Sequence, residues 1–185
     1  MTRNPRHPGL VVGAAALLIA FAAAAAGDPS IDVSKSTIIA TFKQENVPVD
    51  ATFKTFNGRI DYNPAQPGAA KAALEVDTGS LDLGAPDYNA EVRKKSWFDS
   101  TAYPKATFIS TAVKPGALGH FEASGTLTLK GKTLTLSVPV SVSKVGSASA
   151  YDGTFEISRA FFGIGDPEWN DVVDDKVRVR FHLVE

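Results

Sequence analysis

From about residue 31 to the end, apolar and polar positions alternate with period two, the pattern of strands with one dry and one wet face. The clearest run is residues 134–142. Leu134, Leu136, Val138, Val140 and Val142 fall on one side, and Thr135, Ser137, Pro139 and Ser141 on the other. Pro139 has no amide proton, which predicts an edge strand or a bulge there. The last strand repeats the pattern, with Val177, Val179, Phe181 and Leu183 opposite Arg178, Arg180 and His182. Phe155 and Ile157 alternate with Thr154, Glu156 and Ser158. Phe121, Ala123, Gly125, Leu127 and Leu129 form another face, which the turn Lys130-Gly131-Lys132 joins to the Leu134 strand as a hairpin. Earlier strands are predicted over 38–43, 51–56, 59–62, 72–77 and 107–112. Turns are predicted at Asn57-Gly58, Asn63-Pro64, Pro67-Gly68 and Pro115-Gly116. One segment reads as helical, about 88–97, with Asp87 as its cap and Asn89, Val92 and Ser96 at helical spacing. Eight or nine short strands with one short helix predict an all-β fold, an antiparallel sandwich or closed barrel.

The first 26 residues fall outside that pattern. Arg3, Arg6 and His7 give a basic start, residues 9–26 carry no charge, and the stretch ends in the alanines 22–26. A basic region, an apolar region and an A-x-A site are the parts of a secretory signal peptide, with cleavage expected after Ala26. An uncleaved anchor is the alternative, since such a stretch is just long enough to span a bilayer. Its alanine content and small-residue end favour cleavage. The domain expected after cleavage is 27–185, and its expected location is the periplasm.

With 44% hydrophobic residues in 185, the chain has material for one substantial core. The absence of cysteine excludes a disulfide framework, thiolate metal sites and a lipid anchor on cysteine. Without Arg3 and Arg6, 17 basic side chains stand against 20 acidic ones, a net charge near −3. No basic cluster exceeds Arg93-Lys94-Lys95, so nucleic acid and anionic membranes are poor partners.

Catalytic signals are weak. His120 and His182 lie in no zinc or triad context. The acidic run 166–171, followed by Asp174-Asp175, misses the calcium-loop template: Asp171 stands where glycine belongs and Val177 where glutamate belongs. A solvated loop, with Asp171 or Asp175 capping backbone donors, is the better reading. No nucleophile elbow, phosphate loop or dinucleotide fingerprint occurs, and no cofactor or metal is expected. What remains is apolar surface, with eleven phenylalanines and two tryptophans. An eight-stranded barrel is just wide enough for side chains or one small ligand. If that interior is unfilled, an apolar ligand gains about 0.8 kcal/mol per buried methylene without any catalytic group.

Specific motifs then point to a family. They are Ser36-Thr37-Ile38, then Phe53, Phe56, Gly58 and Ile60, then Gly79-Ser80-Leu81-Asp82-Leu83-Gly84 and Trp97-Phe98-Asp99. Tyr103-Pro104, Ala106-Thr107-Phe108 and Ser110-Thr111 follow, with Gly125, Leu127-Thr128-Leu129-Lys130-Gly131 and Thr133 after them. Arg159, Phe162-Gly163-Ile164-Gly165, Asp174-Asp175 and Val177 close the set. In this order the chain resembles the YceI-like family of periplasmic and secreted lipocalin-like proteins described as polyisoprenoid-binding. It departs from the family at Gln44, often a histidine; at Ala51, often a glycine; and at Ala40, often an aromatic. The resemblance implies an elongated antiparallel barrel with a small helix and a long apolar tunnel. The ligand it implies is a polyprenyl chain, such as a quinone tail or prenyl phosphate, or a fatty amide.

The expected function is a non-enzymatic carrier of an isoprenoid or other long-chain lipid. The expected wall is Phe42, Phe53, Leu74, Val76, Phe108, Phe121, Leu127, Leu129, Leu136, Val138, Phe155, Ile157, Val179 and Phe181. Trp97, Phe98, Phe162 and Trp169 are expected to close the mouth. Arg159 is expected to meet either a polar head group or a loop acid such as Asp174. Two alternatives stay open: a lipid-acting hydrolase, which needs a charged side chain beside the tunnel, and an interaction module with a filled barrel. A membrane redox protein is a further candidate partner. Monomer and homodimer both remain possible, since an exposed edge near Pro139 would favour pairing.

Overall fold

The computed structural model describes residues 30–185, so the expected leader lies outside the described residues. Ten strands build one antiparallel sheet. They are β1 (Thr37–Gln44), β2 (Val47–Phe53), β3 (Phe56–Asp61), β4 (Lys71–Asp77), β5 (Leu81–Asp82), β6 (Lys105–Pro115), β7 (His120–Leu129), β8 (Lys132–Val145), β9 (Ala148–Ser158) and β10 (Lys176–Val184). Their order is β3-β4-β6-β7-β8-β9-β10-β1-β2-β5. One helix, α1 (Pro86–Val92), completes the described elements apart from short 3-10 turns. The all-β, barrel-like expectation holds, with ten strands rather than eight or nine.

Tight turns set the registers. Lys130 and Gly131 both have positive φ (46° and 72°), so β7 and β8 meet through a two-residue turn with Leu129 opposite Lys132. Glu45 and Asn46 do the same between β1 and β2, at φ 49° and 65°. That hairpin starts β2 at Val47, four residues before the predicted strand.

The sheet rolls up on itself. β2 and β3 are two parts of one bent segment: β2 pairs with β1, and after Lys54-Thr55 the chain pairs with β4 instead. A strap at the start of the described chain bridges the same region. Ile31 N donates to Gly58 O (3.0 Å), and Asp32 N donates to Val184 O (2.7 Å). Ser36 Oγ, itself buried, accepts from Val184 N at 2.9 Å. Ile31 is thereby held in the core with Ile38, Phe56, Ile60, Tyr151 and Leu183.

Four local expectations are corrected. Asn57-Gly58 is not a turn; it lies inside β3, with Gly58 opposite Leu74. Glycine serves close packing there, since a Cβ would sit 2.7 Å from Leu74 Cδ2 and 2.8 Å from Ile31 Cδ1. The helix spans Pro86–Val92, and Asp87 is not its cap: Ala85 holds that place without a side-chain bond. Pro86 at the first helical position starts the helix two residues early, and it ends at Val92, five residues short of the expected 97. Pro139 is neither at a sheet edge nor at a bulge. Glu122 of β7 lies opposite it, while the β8–β9 ladder begins at Val140. Its missing amide proton therefore falls where β9 no longer pairs, at a break in the β8–β9 ladder. The bulge lies instead between Ser110 and Ala112 in β6. Thr111 is the extra residue, so Ser110 and Val113 both face inward and β6 extends beyond the predicted 107–112 to Pro115.

Candidate functional site

The inward stripes of the strands surround a cavity of about 220 Å³ that exposes no polar surface. Most of the expected wall residues line it, including Phe42, Phe53, Leu74, Val76, Phe108 and Phe121. Leu127, Leu129, Val138, Phe155, Ile157, Val179 and Phe181 do so as well, and Trp97 and Phe98 form part of the same surface. Three expected residues are not in the lining. Leu136 packs sideways against both halves of the core. Phe162 is 1% exposed and belongs to the packed cluster with Leu127, Leu129 and Ile164. Trp169 backs Trp97, ring centroids 5.4 Å apart. Phe162 and Trp169 therefore support the mouth residue Trp97 and close nothing themselves.

Two glycines keep the interior open. At Gly125 in β7, a Cβ would lie 2.3 Å from Phe108 Cζ; at Gly153 in β9, it would lie 2.3 Å from Phe181 Cζ. Each ring lies flat across the backbone of the next strand, where a side chain would otherwise stand. The rings are thus stacked against the wall instead of projecting across the lumen. The departure at Ala40, a methyl group where an aromatic is common, acts in the same direction, whereas Ala51 adds a methyl over the common glycine. These two residues face each other across β1 and β2, both are buried, and Ala40 lines the cavity.

Sequence reasoning missed Tyr62 and Tyr151. Tyr62 stacks on Phe121 at 5.7 Å and meets Tyr151 edge-on at 6.0 Å, closing the lining at that end. Tyr151 shared the stripe of Phe155 and Ile157, two and three alternations along β9, which was its signal. Its hydroxyl donates to Glu185 Oε2 at 2.6 Å. Burial, and then this carboxylate, push the phenol well above its ordinary value.

Arg159 also borders the cavity and is 3% exposed. The expected ion pair with the Asp174 side chain does not form. The guanidinium donates instead to carbonyls: Nε to Asp174 O (3.1 Å), Nη1 to Ile164 O (3.0 Å) and Nη2 to Val173 O (2.6 Å), with Asn170 Oδ1 at 3.1 Å from Nη2. A rigid planar donor set suits an irregular loop whose carbonyls have no strand partner. Arg159 thus fastens the 159–175 loop over the barrel end. Asp175 Oδ1 accepts from Ser158 Oγ (2.8 Å) and Ala160 N (2.9 Å), a capping role expected for it.

The titratable side chains of the lining are Tyr62, Lys71, Tyr151 and Arg159, with no carboxylate or imidazole among them. His182 lies on the outer face, 2.7 Å from Asp152 Oδ1, and His120 lies beside Ser141 Oγ at 3.2 Å. Lys130, at the α1 end, is half-covered, and burial holds its ammonium below the usual lysine range against the pull of Asp99 and Asp166.

Comparison with known proteins gives a consistent likeness. A family model described as YceI-like domain matches residues 30–184. A UPF0312 protein of Vibrio cholerae is 29% identical over 180 residues, covering 92% of this chain and 95% of that protein. A UPF0312 protein of Shewanella baltica is 30% identical over 158 residues, covering 80% and 83%. Among solved structures, Burkholderia cenocepacia BcnA superposes with a TM-score of 0.81 at 40% identity, over 84% of this chain and 99% of that one. A polyisoprenoid binding domain from Saccharophagus degradans shares the fold, with a TM-score of 0.69 at 19% identity, over 84% and 95%.

Proposed function

The chain belongs to the YceI-like family, and from that premise we propose that it is a carrier that holds the chain of a polyisoprenoid or similar long lipid inside its barrel. The observation that carries the reading is the cavity itself: a partly open space whose exposed surface is apolar, built by inward stripes of at least seven strands. A filled barrel acting through its outer surface has no need of such a space. A hydrolase needs a general acid or base beside its substrate, and this lining supplies neither carboxylate nor imidazole.

The cavity volume of about 220 Å³ lies below the usual range for drug-sized ligands, about 300–1,000 Å³. A slender flexible chain fits such a space better than a fused-ring body. The polyisoprenoid named for the Saccharophagus degradans domain supplies the ligand class. The leader-like segment 1–26 supports action in the periplasm, where an apolar chain needs cover from water.

The deciding experiment is mass spectrometry of the organic extract from protein purified from the periplasm without added lipid. A prenyl or long alkyl species near one per protein is the expected result. A clean extract, together with no uptake of an added polyprenyl lipid, would overturn the carrier reading.

A further inference from the structure

We propose that lipid enters and leaves this barrel through its side, beside the free edge of β2, and that residues 83–92, which carry α1, are the lid over that entry. The inference rests on the carrier reading above and adds to it a route and a moving part.

A guest passes most readily where no ladder closes the wall, since opening a ladder leaves backbone groups without partners. β2 pairs with β1 along its whole length, but on its other side β5 reaches only Thr52 and Phe53. Residues 47–51 therefore have no strand beyond them. The chain leaves β5 beside β2 and returns as β6 beside β4 and β7, so its crossing, residues 83–104, is the wall on that side. Two other breaks in the sheet are covered. Where β8 and β9 part below Val140 and Gly153, Leu134, Leu136, Phe155 and Ile157 fill the space from inside, and Lys132 Nζ donates across it to Phe161 O (2.6 Å). Where the β4–β6 ladder ends at Ala73 and Ile109, Ser110 Oγ accepts from the Ala72 amide (2.8 Å), and the 3-10 turn Pro67–Ala69 lies against β6.

The two halves of the crossing differ in how they are held. Residues 93–104 are fastened at several points. Arg93 Nε donates to Gly79 O (2.7 Å), Lys130 Nζ to Lys95 O (2.9 Å), Gly165 N to Ser96 O (2.9 Å) and Thr78 Oγ1 to Tyr103 O (2.8 Å). Phe98 also meets Phe53 edge-on. Residues 83–92 are held lightly. α1 buries no residue, and the side-chain bond that ties it to the sheet is that of Asn89. Asn89 Nδ2 donates to Asp82 Oδ1 (3.0 Å), and Asn89 Oδ1 accepts from Leu83 N (2.7 Å). At Gly84 the chain passes through φ +82°, with no heavy atom within 4 Å of where a Cβ would stand, which is the room a hinge needs. Leu83 and Val92, at the two ends of this segment, line the cavity, so swinging it aside uncovers the lumen itself. A segment with few buried apolar contacts and exposed hydrogen bonds opens at low cost.

The test is stopped-flow uptake of farnesol by the full chain, followed by the emission of Trp97 in the cavity wall, with release measured into excess phosphatidylcholine vesicles. Asn89→Ala removes the latch without altering the lining. Uptake and release should both quicken roughly fivefold, the scale of one or two hydrogen bonds, while Kd stays the same, because the open state gains population and the closed site is unchanged. Gly84→Ala reaches the same end by another route, since a methyl group is strained at that φ, and should quicken both rates as well. Ser36→Ala, which loosens the strap at the start of β1, should leave both rates alone. Unaltered rates in Asn89→Ala and Gly84→Ala, or an equal quickening in Ser36→Ala, would overturn the lid while leaving the carrier reading standing. So would faster release with unchanged uptake, which would make Asn89 a determinant of affinity. No binding of farnesol by the native chain in titration calorimetry would overturn the carrier reading and the lid together.

Discussion

At Gly125 and Gly153 the missing Cβ atoms leave the room in which Phe108 and Phe181 lie. Gly125→Ala or Gly153→Ala must drive a ring off its seat, and the lumen is the open direction. Each variant is expected to lose about 1–3 kcal/mol in urea unfolding, the cost of overpacking, and to take up less lipid. Unchanged stability would mean that the rings yield without cost. At Arg159 the argument runs through carbonyls. Arg159→Met would strip partners from the buried oxygens of Val173 and Ile164, each worth about 1–3 kcal/mol when left unmet. A loss near 3 kcal/mol is expected, with the 159–175 loop more open to protease. Tyr151 gives a pH signature. Folding raises its pKa above the ordinary 10.0, so above that value the folded chain keeps a proton that the unfolded chain has shed. Stability due to this group is complete below about pH 10 and falls as pH rises towards the native value. Tyr151→Phe should flatten the alkaline fall in melting temperature; an unaltered fall would assign it to other groups. Residue identities of this kind were partly legible. The phenylalanines announced themselves by alternation, but nothing in the chain marked which glycines lay beneath them, because that contact joins β6 to β7 and β9 to β10.

Among the elements, the long alternating runs of β7, β8 and β10 are read correctly from sequence because one face of each is more buried than the other through most of its length. Errors cluster where a second signal intrudes. The bulge at Thr111 reverses the alternation of β6, so the predicted strand stops there. Glu45 and Asn46 make a turn without glycine, which hid the true start of β2. Asn57-Gly58 carries turn residues inside a strand because packing, and not a reversal, calls for the glycine. The strap ending in Ser36 was not foreseen as an element, since its value depends on Val184, far away in sequence. It yields its own expectation. Ile31→Ala should cost about 2–5 kcal/mol by urea unfolding, a large loss for a residue so near the edge of the described chain. A loss below 1 kcal/mol would show that the strap merely rests on the barrel.

For the whole molecule, a carrier is a linkage system. A lipid that binds only the folded state at a hundred times its Kd should add about 2.7 kcal/mol to unfolding free energy. The melting temperature should therefore rise with polyprenyl lipid and stay fixed with a bulky sterol too broad for the cavity. A rise with both would mean a looser interior than the one described. The roll of the sheet carries a last consequence. Its two ends are joined by covalent chain at Lys54-Thr55 and by the strap at Ile31, not by a full ladder of hydrogen bonds. A barrel closed by ladders has a girth fixed by strand number and stagger. A roll clasped at a seam behaves more like a spring collar: sliding at the clasp alters its girth without breaking any ladder. The thickness of guest it tolerates is then governed by the stiffness of that clasp, and hydrogen exchange at Phe56, Gly58 and Val184 should slow when a lipid holds the collar taut.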